Sequence, residues 1–263
     1  MGTDGGKSGS LLTYLYDGTL EGLFSCVFRA YDQKEEPGAF ITRIEDTPLF
    51  AEVISIETHL PEALRVMEGI KKKISPGFFR ELCLVFFGGL PGRELLLWQS
   101  IVDAFKRGRG YDTLLQDPLR LQIQQTALKV SREVHRFKGL IRFRKLKTGV
   151  YYAPFHPTHP ILMLLMPFFA GRFADQSLVL HDVKRGEVGY AQDGEWEFLD
   201  LGREKVEIGE QLKSENLDGD EESFQQLWQT FFDSIAIRER KNPRLQRQFM
   251  PKKYWEYLVE KPG

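Results

Sequence analysis

The hydrophobic repeat of this chain changes period once, at Lys138-Gly139, and that change limits the possible folds more than any other feature. Before it, apolar residues recur at helical spacing over 20–31, 61–74, 76–87, 92–107 and 118–137. Leu23, Phe24, Val27 and Tyr31 share one face of the first of these helices. The ends fit the same reading. Thr19 or Asp17 can cap the first helix. Pro61 opens the second and Lys71-Lys72-Lys73 closes it, where the helix dipole favours cations. Gly88-Gly89 and Gly108-Arg109-Gly110 stop the next two. Residues 11–16 read as a short strand, and 50–57 as a strand or a helix. Beyond Gly139 the period falls to two. The run Leu140-Ile141-Arg142-Phe143-Arg144-Lys145-Leu146 alternates apolar and cationic side chains, as a half-buried strand does. A turn at Lys147-Thr148-Gly149 leads to a second strand over 150–155. A very apolar helix follows over 160–173, then three strands over 177–181, 188–191 and 196–199, split by Arg185-Gly186 and Asp193-Gly194. A serine-capped helix is expected over 223–237, and a last helix from Leu245 or Pro251 to Glu260.

The predicted fold class is therefore α+β: a helical N-terminal half followed by a mostly antiparallel sheet with covering helices. Residues 1–10 form a flexible polar leader, 11–138 a mainly helical region, and 139–263 an α+β domain ending in a basic helix. With 263 residues and 42% hydrophobic side chains the chain can bury a large core. Cys26 and Cys83 stand alone in apolar helical contexts and read as core thiols, without a CxxC pair for zinc or an iron–sulfur cluster. The first ten residues lack the layout of a signal peptide, and the longest apolar run, 160–170, is about half a membrane span. A cytoplasmic location away from membranes is the expectation.

Net charge is −1, so polyanion binding requires segregated charge. The chain supplies it. Residues 129–147 are basic, 187–222 mostly acidic, and 238–253 basic again, with seven cations and one acid. Arg136, Lys138, Arg142 and Arg144 form one candidate phosphate-binding strip. Arg244, Arg247, Lys252 and Lys253 form another, with Tyr254 placed to stack on bases and Trp255 more suited to anchoring its helix. Lys184 and Arg185 add cations at a strand-end turn. His159, His181 and Asp182 are the acid–base candidates, with turn-stabilising or packing roles as the plainer alternatives. His156 and His159 sit three apart, but the flanking prolines hold the segment extended, so no metal or cofactor is expected in this chain. Gly88-Gly89-Leu90-Pro91-Gly92-Arg93 could offer N–H groups and Arg93 to a phosphate, or simply join two helices. Gly5-Gly6-Lys7-Ser8 lacks the strand and the first glycine of a phosphate loop.

Five segments carry a family resemblance. Leu12-Thr13-Tyr14-Leu15-Tyr16-Asp17-Gly18-Thr19-Leu20-Glu21-Gly22-Leu23 resembles the opening of a bacterial family of DNA-metabolism or DNA-repair proteins. His135-Arg136-Phe137-Lys138-Gly139-Leu140-Ile141-Arg142-Phe143, Tyr151-Tyr152-Ala153-Pro154 and His181-Asp182-Val183-Lys184-Arg185-Gly186 are similar to its central landmarks. Asn242-Pro243-Arg244-Leu245-Gln246-Arg247-Gln248-Phe249-Met250-Pro251-Lys252-Lys253-Tyr254-Trp255 resembles its closing signature. The likeness spans about 11–260. It implies a gene neighbour that encodes a radical S-adenosylmethionine protein of DNA modification or repair. It also implies a C-terminal half like a domain of unknown function that occurs fused to uracil-DNA-glycosylase-like domains. Phe168 stands where many relatives carry a histidine, which weakens a histidine-metal site there.

Three functions remain open on this basis. The first is a DNA-binding accessory to the radical enzyme, which would supply its own cluster. The second is an enzyme of base excision or strand processing using His159, His181 and Asp182. The third is an adaptor that docks a protein without touching DNA.

Overall fold

The computed structural model describes residues 11–199, 217–234, 247 and 250–260. The fold is α+β, and the chain divides into two compact units between Lys129 and Val130.

In the first unit, β1 (Leu11–Leu15) is the centre of a three-stranded parallel sheet, between β2 (Ala39–Ile41) and β3 (Ala51–Ser55). Four helices, α1 (Leu20–Gln33), α2 (Leu60–Lys73), α3 (Pro76–Phe87) and α4 (Arg93–Arg107), pack with it, together with the first half of the helix that begins at Pro118. The expected region of helices thus contains a sheet. Its strand β2 was hidden because three residues are too few to show a period. Thr19 caps α1, its Oγ1 accepting from Gly22 N at 2.9 Å. Asp17 Oδ1 accepts from Thr19 N at 2.9 Å and Oγ1 at 2.7 Å, while Oδ2 accepts from Thr58 Oγ1 at 2.6 Å. Gly22 is required by this cluster, since a Cβ there would lie 2.2 Å from Asp17 Oδ1. Tyr14, Leu23, Phe24, Ile70, Leu82, Leu97 and Ile101 form the buried centre of the core, each side chain contributing on the order of 1.5–3 kcal/mol by leaving water. Cys26 is buried and Cys83 half-buried, both as free thiols, and burial pushes Cys26 up to about 12 and Cys83 to about 11. Arg93 turns inward, donating to Phe86 O at 2.6 Å and Glu94 at 2.9 Å, so the Gly88–Gly92 connection does not present it to a ligand.

In the second unit, five strands lie in sequence order: β4 (Arg144–Lys145), β5 (Tyr151–Phe155), β6 (Leu178–Asp182), β7 (Glu187–Gln192) and β8 (Glu195–Leu199). Three of the four ladders are antiparallel. The exception is β5–β6, a parallel pair joined by α6 (Leu162–Arg172). Leu178, Leu180 and Ala191 are buried on the face with Gly189, where α6 presses so closely that a Cβ on Gly189 would sit 2.5 Å from Met166 Sδ. Asp193 and Gly194 both take positive φ, which closes β7–β8 with the tight turn expected there. A further helix, α7 (Glu221–Ser234), begins two residues before Ser223, so that serine lies in its first turn and does not cap it.

One expectation is corrected at the seam. Residues 140–146 are not a strand. Helix α5 (Pro118–Leu140) continues through Leu140, and only Arg144–Lys145 pairs with β5. Leu140 and Ile141 are buried at helical spacing from Phe137, and Ile141 N donates to Phe137 O at 3.1 Å. The Arg142 guanidinium donates to Gly139 O at 2.7 Å and Ile141 O at 3.2 Å, satisfying carbonyls the helix end leaves bare. The closing helix is also adjusted: Arg247 is helical, a 3₁₀ helix covers Lys252–Tyr257, and Leu245 lies outside the described residues. No helix among the described residues is long and apolar enough to cross a membrane.

Candidate nucleic-acid interface

The second unit concentrates its polar chemistry on one loop, residues 156–160, between β5 and α6. Pro157 and Pro160 keep this segment out of any sheet, so its backbone groups need other partners. The chain supplies one of each polarity.

Glu133, on the buried face of α5 with Val130, Val134 and Phe137, accepts for the loop's amides. Its carboxylate receives Thr158 N at 2.7 Å, His159 N at 3.0 Å, Tyr254 OH at 2.6 Å and His159 Nδ1. Burial pushes this carboxyl up. The Tyr254 hydroxyl, the Thr158 amide and His159 outweigh it and hold the group down at about 2. Glu133 is therefore ionised at neutral pH, and as an acceptor it holds a hydrogen of the His159 ring on Nδ1.

Arg185 donates for the loop's carbonyls. It reaches Thr158 O at 2.7 Å and Pro157 O at 3.5 Å, and its other contact is Asp182 Oδ2 at 2.7 Å. Asp182 is fully buried and also accepts from Lys184 N at 3.1 Å and Arg185 N at 3.3 Å. Burial raises the Asp182 carboxyl while Arg185 pulls it back. Lys253 completes the set, donating from Nζ to Thr158 Oγ1 at 2.7 Å and lying 4.8 Å from the Tyr254 ring centre. Around this pinned loop, His156, Thr158, Lys184, Lys252 and Lys253 are exposed. His156 Nδ1 is 3.5 Å from Glu256 Oε2.

The predicted residues sort into distinct groups. His159 and Asp182 meet the same loop, the second through Arg185. His181 lies on β6, where its Nδ1 is 2.8 Å from Tyr152 OH, and burial lowers its affinity for a proton although Asp182 opposes this. Tyr254 is 6% exposed, its ring against Phe137 at 4.8 Å, so no face is left for a base. Trp255 anchors its own turn by donating to Met250 O at 2.9 Å. Arg142 is neutralised by buried Glu260, at 3.2 Å from Nε, and lies 5.2 Å from the Trp228 ring centre. Lys138 is exposed above Phe168 at 4.5 Å, and Arg136 is half-buried. Arg247 is exposed, and Arg244 lies outside the described residues. Arg144 is half-buried and has no hydrogen-bond or ion-pair partner among the described residues. The basic strip expected along 140–146 therefore separates into inward and open cations. Glu133, Glu260 and Tyr152 were missed. Only Glu133 left a signal: an acid set at helical spacing among Val130, Val134 and Phe137.

Among the described residues, no group of three or more His, Cys, Asp or Glu side chains could hold a metal ion. A family model described as a domain of unknown function, DUF4130, matches residues 91–260, a span that takes in the loop and every residue holding it. No curated protein matches the chain.

Proposed function

The chain belongs to the DUF4130 family, and from there we propose that it binds DNA as an accessory protein of DNA repair or DNA metabolism, beside a radical S-adenosylmethionine enzyme. One observation carries the proposal. A loop with exposed lysines around it is pinned by the buried Glu133 carboxylate and by half-buried Arg185, itself paired to buried Asp182. Burying such groups is costly, and a loop needs this much internal fixing only when its surface must keep one shape. Lys184, Lys252 and Lys253 are its phosphate contacts, with Thr158 and His156 between them. The partner and the repair setting come from the family resemblance of the sequence.

Fluorescence anisotropy with labelled DNA fragments tests this. Binding at low salt that weakens steeply as salt rises supports it, with the slope counting neutralised phosphates. Absence of binding at low salt removes it.

One observation favours a second reading, acid–base chemistry on nucleic acid. Glu133 orients His159 with a hydrogen on Nδ1, and the His159 side chain is 28% exposed. A ring held that way has Nε2 left for proton transfer. Uracil-containing and abasic oligonucleotides would be the first substrates, with His159→Asn expected to abolish turnover while leaving DNA affinity intact. Turnover retained in that variant ends this reading.

A further inference from the structure

We infer that Arg144 anchors a second site, one that takes a phosphoryl oxyanion on the sheet face opposite α6. The inference goes beyond DNA binding, because it requires the anion and not the polymer.

Arg144 stands directly across the β4–β5 ladder from Tyr152, so the two side chains leave the same face of the sheet. Tyr152 pairs with Val179 on β6, two residues before His181, which puts His181 on that face as well. The Tyr152 hydroxyl lies 2.8 Å from His181 Nδ1. Burial makes this phenol a weaker acid and lowers the proton affinity of His181, and the two share this one hydrogen bond. The charge of Arg144 is felt by both Tyr152 and Tyr257, which brings the 3₁₀ segment to the same place. The guanidinium thus lies across the ladder from the Tyr152–His181 pair and within electrostatic reach of the Tyr257 phenol. Glu256 is the bordering carboxylate, hydrogen-bonded to Tyr257 and 3.5 Å from His156.

The decisive contrast is between Arg144 and the cations near it. Arg142 has Glu260, Lys145 has Asp218 at 3.3 Å, and Arg185 has Asp182. Among the described residues Arg144 has none of these, and its Nε is closed to solvent with no hydrogen-bond partner there. A guanidinium nitrogen that has lost water and gained no acceptor weakens the fold. Its fork geometry fits the oxygens of a phosphoryl group, and adjacent aromatic rings suit a nucleotide. The phosphoryl group could come from a free nucleotide or from a DNA end.

Thermal melting in inorganic phosphate and in chloride at matched ionic strength tests the site. Phosphate should raise the wild-type melting temperature by roughly 2–4 °C. In Arg144→Met the shift should vanish while the urea midpoint in chloride stays equal to or above wild type. Equal phosphate shifts in both proteins, or no shift in wild type, overturn the site. Phosphate titration followed by the His181 ring resonances gives a readout that needs no variant: a saturable shift supports the site and an unmoved signal refutes it. Deoxyadenosine monophosphate, and oligonucleotides with and without a 5′-phosphate, then separate the two sources. DNA binding unchanged in Arg144→Met with no phosphate effect leaves the DNA proposal standing and removes this one. A phosphate effect without DNA binding does the reverse.

Discussion

Asp17 in the first unit and Glu133 in the second do the same job by different means. Each carboxylate gathers several donors and fixes the chain beyond a strand. Asp17 does so in the open, mainly with Thr19, two residues away. Glu133 does so under cover, with partners 25, 26 and 121 residues distant. The first arrangement sets a turn that any α/β connection could use. The second commits a buried charge to a single loop. A charge placed so expensively marks where the surface above it matters.

If that contrast is real, the variants should rank accordingly. The largest effect belongs to Glu133→Gln. An amide nitrogen would face the donors that now converge on a carboxylate, and stability should fall by about 3 kcal/mol in urea unfolding. Arg142→Ala comes close behind at roughly 3 kcal/mol, because buried Glu260 loses its counter-charge. The same experiment on Thr19→Ala should cost about 1 kcal/mol, the usual value of a helix cap. A Glu133→Gln loss no larger than that of Thr19→Ala breaks the comparison.

Acid sharpens it. Glu133 titrates at about 2 in the fold and near 4.5 when unfolded. Its folded pKa is depressed, so its stabilisation is complete above pH 4.5 and disappears as pH falls toward 2. The amount is about 3 kcal/mol for such a difference. Wild type should lose stability through that window, and Glu133→Gln should lose distinctly less. Parallel acid curves for the two proteins would mean that the carboxylate is not held as the geometry implies. The smallest effect on stability, within about 0.5 kcal/mol, is expected for Lys252→Ala with Lys253→Ala, since both side chains are exposed. Their effect should appear in DNA binding, where each lysine lost lowers the salt slope by about 1.

Much of the fold was legible because it is written locally. The helical period of 61–74 and 76–87, the cap at Thr19 and the turn at Asp193-Gly194 all depend on residues within one or two turns of each other. The strand expected over 140–146 misled for the same reason. Alternating cations imitate a strand, and nothing nearby in sequence reveals that Arg142 folds back on the end of α5 or that Glu260 is waiting for it. The site was legible as composition and opaque as geometry. His159, Asp182, Arg185 and Lys253 were all candidates, yet their common partner is one loop whose other holder, Glu133, belongs to a helix otherwise read as basic. Tyr254 looked like a stacking residue because it follows two lysines. Its burial is decided by Phe137 and Glu133, far away along the chain.

Hydrogen exchange with and without a bound DNA duplex tests the function of the loop most directly. Added protection at the amides of Thr158, His159, Lys184, Lys252 and Lys253 is the predicted result. Protection that falls elsewhere on the protein and leaves those amides unchanged would contradict it.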